Sequence, residues 1–151
     1  MDLHIDNQIA LRNEFDDTYS VPINPYDYST FENMWKLVKL PALIPPRESA
    51  LLSTREVVTI GENQQGNIYL RSTLARLMLL CPSTVADPGF VGTLTLEVFN
   101  THKTRSFQVW PGDALFHMII NPCIGEPSYT QKGRYQGQTG ITLPKALKHG
   151  G

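Results

Sequence analysis

Residues 86–100 read Ala-Asp-Pro-Gly-Phe-Val-Gly-Thr-Leu-Thr-Leu-Glu-Val-Phe-Asn, and they limit what this chain can fold into more than any other stretch. Pro88 fixes φ and Gly89 accepts positive φ, so Asp87-Pro88-Gly89 is a turn. After Gly92 the hydrophobicity alternates with a period of two, the periodicity of a strand. Leu94, Leu96 and Val98 fall on one face, with Thr93, Thr95 and Glu97 on the other. The Glu97 carboxylate is therefore expected on the polar side of an otherwise apolar strand.

The remaining stretches also favour strands. Leu3, Ile5, Ile9 and Leu11 give a loose period-two pattern within residues 1–17. Residues 19–46 carry five prolines and the aromatics Tyr26, Tyr28, Phe31 and Trp35, and read as a long excursion over a sheet with at most one short helix near 30–36. Strands are expected within 50–60 and at 68–70. Ser72 or Thr73 can cap a helix running through Leu74, Ala75, Leu77, Met78 and Leu79 until Pro82 ends it. Residues 105–110 and 114–120 flank Pro111-Gly112-Asp113 and read as a hairpin. From Asn121 onward apolar residues thin out and glycines recur, predicting a mobile tail.

At 151 residues the chain makes one domain, 1–151, with a core that needs no staple. A net charge of -1 gives no reason to expect nucleic acid or an anionic membrane as partner. The first residues lack the features of a secretory signal, and no apolar run approaches a membrane span, so a soluble, cytoplasmic protein is expected. The two cysteines, Cys81 and Cys123, are expected reduced.

Several chemistries lack their motifs. Pro122-Cys123 has no second cysteine after it, and His4, His102, His117 and His149 are scattered, which argues against the zinc site of nucleobase deaminases. No P-loop and no Gly-x-Ser-x-Gly elbow is present. Two clusters stand out. Arg71-Ser72-Thr73-Leu74-Ala75-Arg76 sets guanidiniums beside hydroxyls at the expected start of a helix, a plausible oligophosphate cradle as well as an ordinary solvated turn. Gly133-Arg134-Tyr135-Gln136-Gly137-Gln138-Thr139-Gly140 joins a charge, an aromatic ring and two amides, a composition shared by lids and by disordered ends.

Taken in order, Arg71 to Leu77, Asp87-Pro88-Gly89-Phe90 with Gly92, Leu94, Leu96-Glu97 and Asn100, then Pro111-Gly112, then Arg134-Tyr135-Gln136-Gly137-Gln138, resemble the motifs of the dCTP deaminase branch of the dUTPase superfamily. The resemblance covers roughly residues 70–142. It implies a mainly β fold, a distorted β-barrel or jelly-roll with one short helix, assembled as a homotrimer with sites between subunits. Residues from about 126 to 151 would form its C-terminal lid. It implies dCTP as substrate, hydrolysed to dUTP and ammonia without zinc, with Mg²⁺ carried on the nucleotide phosphates. Glu97 would take a proton from the water that attacks cytosine C4, Ser72 would help hold that water, and Arg76 would lie against water and phosphates.

By the same resemblance Arg71, Thr73 and Asp87 belong to the substrate site, and Phe90 sits beneath the deoxyribose. Tyr129, Arg134, Tyr135 and Gln138 close over the triphosphate. The family more often has Lys at the position of Arg134 and Ser at that of Thr73. Glu97 favours deamination over the dUTPase reaction, in which the turn aspartate activates water on the α-phosphate. A bifunctional enzyme giving dUMP, a plain dUTP pyrophosphatase and a non-catalytic regulatory trimer are the alternatives.

Overall fold

The computed structural model describes residues 1–125 and 133–149. In chain order the elements are β1 (Asp2–Arg12), a 3-10 turn (Tyr28–Thr30), β2 (Trp35–Lys39), β3 (Ala42–Ile44), β4 (Ser49–Thr54), β5 (Val58–Thr59) and β6 (Gln64–Leu70). There follow α1 (Ser72–Arg76), β7 (Leu79–Leu80), β8 (Thr84–Ala86), β9 (Val91–Gly92), β10 (Thr95–Asn100), β11 (Phe107–Val109) and β12 (Ala114–Pro122). The main sheet has the order β7-β10-β4-β1-β12-β6-β8, with β2 added beside β1. It is mainly β with one short helix, curled as a half-barrel. None of the described helices is long and apolar enough to cross a membrane.

Alternation builds the core. Leu94, Leu96 and Val98 point inward, joined by Leu3, Ile5 and Ile9 from β1, Leu52 from β4, and Phe116 and Met118 from β12. Each fully buried side chain of this kind contributes about 1.5–3 kcal/mol. The sheet is not simply polar on its other side. Strand β4 is buried at five consecutive positions, Ala50 to Thr54. Register explains why: Leu37 lies opposite Ala10, Ala10 opposite Leu51, and Leu51 opposite Glu97, and residues paired across strands share a face. Glu97 thus ends an apolar row that crosses β2, β1, β4 and β10.

Asn100, at the end of β10, is fully buried and works as a hub. Its Nδ2 donates to the carbonyls of Ile44, Pro45 and Arg105, its Oδ1 accepts from the His102 N–H, and its backbone bonds Arg47 and Glu48. Elsewhere, His4 Nδ1 lies 2.6 Å from Glu56 Oε1, and the His4 amide donates to Oε2 at 2.9 Å. Burial alone would raise the Glu56 carboxyl, but the hydrogen bonds from the His4 amide and ring, with the Glu56 backbone and the His4 charge, hold it below its ordinary range.

Three expectations are corrected. Residues 30–36 do not form a helix: the 3-10 turn ends at Thr30, and Trp35 already opens β2, whose ladder to β1 overrides local propensity. The helix is a single turn, because Met78 takes a positive φ of 66° and releases Leu79 into β7 and the core. Ser72 is its first helical residue, and the preceding Arg71 makes no side-chain cap. The hairpin around Pro111-Gly112-Asp113 is instead a corner. The turn is there, with Gly112 at φ +83°, but Gly112 donates to Ile5 and Asp113 accepts from it. Strand β12 consequently pairs with β1 and β6, and β11 with β3.

Candidate active site

Two members of the row that ends at Glu97, Leu51 and Glu97 itself, line a cavity of about 450 Å³, within the range of small-molecule sites. Leu51, Leu94 and Glu97 come from the sheet, Met34 and Trp35 from the entry to β2, and Thr84 to Asp87 with Phe90 from β8 and its turn. Tyr135, Gln138, Thr142 and Pro144 of the tail complete it. Five residues singled out from sequence therefore share one space: Glu97, Asp87, Phe90, Tyr135 and Gln138.

The tail expected to be loose lies along the molecule over residues 133–149, held by backbone and amide groups more than by apolar side chains. Gly137 donates to the Val91 carbonyl at 2.8 Å, and Thr93 to the Gln138 carbonyl at 2.9 Å. Gln138 Nε2 returns a bond to the Thr93 carbonyl at 2.7 Å. Gln136 brackets the turn, accepting from Val91 and donating to the Gly89 carbonyl. Gly92 permits the approach: its φ is +154°, and a Cβ there would lie 2.9 Å from the Gln138 carbonyl oxygen. Farther on, Thr142 donates to Thr95 Oγ1, Leu147 to the Pro25 carbonyl, and His149 stacks on Tyr26 with ring centroids 3.9 Å apart.

Other expected site residues stand apart. Arg71, just before α1, and Ser72, Thr73 and Arg76 on it are all exposed and do not line the cavity. Arg71 forms an ion pair with Asp2 at 3.4 Å. The Arg134 guanidinium is turned onto its own tail, where it donates to the carbonyls of Lys145 and Ala146, while Lys145 Nζ sits 4.9 Å from the centre of the Tyr135 ring. Tyr129 lies outside the described residues.

Sequence reading missed Leu51, Met34, Trp35 and the bracketing role of Gln136. No local signal marks the first three, because only register across β1, β2 and β4 brings them to Glu97. Trp35 is unusual in one respect: its Nε1 is buried and has no hydrogen-bond partner among the described residues. Cys81 is close enough to feel Glu97. Burial first, and then the Glu97 charge, push its thiol up to about 11, so it stays protonated and is no nucleophile. Among the described residues no three of His, Cys, Asp and Glu are grouped to hold a metal ion.

Known proteins resemble the chain in sequence and in fold. A family model described as dCTP deaminase-like matches residues 1–123. The chain is 38% identical over 130 residues to a dCTP deaminase of Pyrobaculum arsenaticum, covering 85% of this chain and 72% of that protein. It is 36% identical over 151 residues to a dCTP deaminase of Caldivirga maquilingensis, covering 98% and 80%. In fold it resembles the 2'-deoxycytidine 5'-triphosphate deaminase of Agrobacterium tumefaciens, with a TM-score of 0.63 at 16% identity, over 85% of this chain and 43% of that one. The dUTPase of Staphylococcus aureus phage phi11 is similar in fold, with a TM-score of 0.51 at 21% identity over 62% of this chain and 78% of that one. With the match running from β1 through β12 and so taking in the turn, Glu97 and the helical cluster, the chain belongs to the dCTP deaminase-like family of enzymes.

Proposed function

We propose that this protein hydrolyses dCTP to dUTP and ammonia, with Glu97 as the general base. The observation that carries this is the placement of Glu97 at the end of an apolar row, inside a cavity that also holds Phe90 and the tail residues Tyr135 and Gln138. A planar base fits against such a wall, and the carboxylate is then the polar group available to a water beside it. Glu97 accepts a proton from that water as oxygen bonds to C4. The proton passes to N3, a second transfer makes the amine a leaving group, and ammonia departs as the C4 carbonyl forms. A positioned base of this kind is worth ~10²–10⁴ in rate.

The reading needs more than one copy. The hydroxyl of Ser72 and the guanidinium of Arg76, which hold water and phosphates in this scheme, lie on an exposed turn outside the cavity. A second copy supplies them, and a closed ring of three gives every cavity such a neighbour. Mg²⁺ neutralises charge on the triphosphate and is carried there by phosphate oxygens. Zinc has no part in this scheme, since Glu97 activates the water.

A second reading has its own support. Asp87 lines the same cavity as Glu97, so two carboxylates face one ligand. Asp87 then activates a second water toward the α-phosphate, and the product is dUMP with pyrophosphate. Incubation with dCTP and separately with dUTP, each with Mg²⁺, resolves the matter when ammonia and pyrophosphate are measured independently. Ammonia from dCTP alone is the expected result. Pyrophosphate as well establishes the bifunctional reading, and neither product from either nucleotide overturns both.

A further inference from the structure

We propose that Trp35 belongs to the substrate-binding surface, and that its indole N–H donates a hydrogen bond to a neutral oxygen of the bound nucleoside. The inference rests on the proposed deaminase reading and adds to it a residue outside the motifs that define the family resemblance. Its starting point is the unpartnered donor: Trp35 Nε1 is buried and bonds no atom of the described residues. A buried N–H without a partner is rare in folded proteins and calls for a specific cause. Filling space is not that cause. The neighbours that share its cavity include Met34, Leu51 and Leu94, and among such side chains a Phe or Leu would pack without leaving a donor unused.

The second observation is position. Trp35 lines the same cavity as Glu97. It lies two residues from Leu37, on the face of the row Leu37–Ala10–Leu51–Glu97, at the other end of that row. Three ladder spacings of about 4.8 Å separate the strand that carries Trp35 from the strand that carries Glu97. The carboxylate therefore serves one end of a ligand and the indole the other.

With the reacting C4 held at Glu97, the end nearer Trp35 receives the acceptors remote from the amine, the pyrimidine O2 or a deoxyribose oxygen. A phosphate oxygen is the wrong partner, because no cation lines the cavity among the described residues and Arg12, opposite Trp35 on β1, is already paired with Glu48. Thr142 and Pro144 of the tail line the same cavity, so a ligand bound there meets the tail as well as the indole.

The chain has two tryptophans, which makes the test direct. Trp110 is about half exposed and outside the cavity, and Trp110→Phe leaves Trp35 as the sole indole emitter. In that protein dCTP and dUTP should change the emission of Trp35 saturably, and inorganic triphosphate should not. In the otherwise native chain, Trp35→Phe should raise KM for dCTP about tenfold, with kcat within about threefold of native and a melting temperature equal or higher. Trp35→Phe with native KM, or an emission that ignores saturating dCTP, overturns the inference. A lower melting temperature with no change in KM also overturns it, since that is the mark of a packing residue. If the native protein turns over no dCTP yet Trp35 emission responds to nucleotide, this inference stands and the deaminase reading falls; no turnover and no response overturns both.

Discussion

The wall of the cavity and the helical turn α1 carry the same expected chemistry but are built in opposite ways. The wall is assembled by register: Glu97 is paired to β4 on one side, and the tail bonds Thr93 and Thr95. Leu51, Met34, Trp35 and the tail residues reach it from distant parts of the sequence. The helical turn is local, five residues with no buried side chain, preceded by Arg71 in an exposed ion pair with Asp2. A rigid wall suits a group that must meet a reacting carbon within a fraction of an ångström. An exposed turn suits groups that engage another surface. In the proposed reading, the wall of one protomer recognises the base while its turn offers phosphate-binding groups to a neighbour.

The largest effect should come from the wall. Glu97→Gln keeps shape and hydrogen bonding while removing the base, so kcat should fall by about 10²–10⁴ with dCTP affinity largely kept, as steady-state kinetics and calorimetric titration would show. Near-native ammonia release from this variant would falsify the assigned role. The division between wall and turn is sharpened by mixing two defective proteins, Glu97→Gln and Arg76→Ala. If each site draws on two copies, an equimolar exchanged mixture should regain roughly a quarter of native activity, because a ring of random composition pairs an intact wall with an intact turn at about that frequency. A mixture no more active than its components places wall and turn in one protomer's own site.

A smaller effect is expected where tail meets wall. Gly92→Ala sets a methyl against the Gln138 backbone at a φ of +154°, and should cost about 1–3 kcal/mol of tail docking. Faster proteolysis within residues 133–149 and a higher KM would register it; unchanged cleavage would mean that the tail is not held at this point. The smallest effect lies away from both regions, at the pair of Glu56 and His4. Because the folded-state value of the Glu56 carboxyl lies below its ordinary 4.5, its contribution is complete above that value and is lost as pH falls through the lower one. Glu56→Gln should therefore flatten the acid limb of stability below about pH 5 and leave dCTP turnover near native, read from thermal melts across pH.

Much of the wall was legible in sequence because strand alternation and turn chemistry act over a few residues. Asp87-Pro88-Gly89 and the inward set Leu94, Leu96 and Val98 follow from φ preferences and period alone. What was illegible depends on pairing between distant strands. Nothing near Leu51 or Trp35 announces that β4 and β2 will carry them to the face of Glu97. The corner at Gly112 shows the same limit: the turn residues were read correctly, but whether a turn closes a hairpin depends on the strand that takes its hydrogen bonds, and here β1 takes them. Where the tail lies was not legible either, because its contacts use main-chain groups and the amides of Gln136 and Gln138, which hydropathy does not register.

Asn100 has a consequence for how the molecule ages. Its side-chain amide is itself a group that water can convert to a carboxylate, and in flexible chains that conversion begins with attack by the next residue's backbone nitrogen. Here that nitrogen, on Thr101, already donates to the Met78 carbonyl, and the Asn100 amide hydrogens are engaged by three carbonyl oxygens. The conversion would set a negative charge among those oxygens at a fully buried position, a charge of the kind folded chains do not tolerate. The hub that anchors the end of the Glu97 strand is thereby guarded against slow chemical decay: an uncatalysed loss of ammonia is held back three residues from the carboxylate proposed to catalyse one.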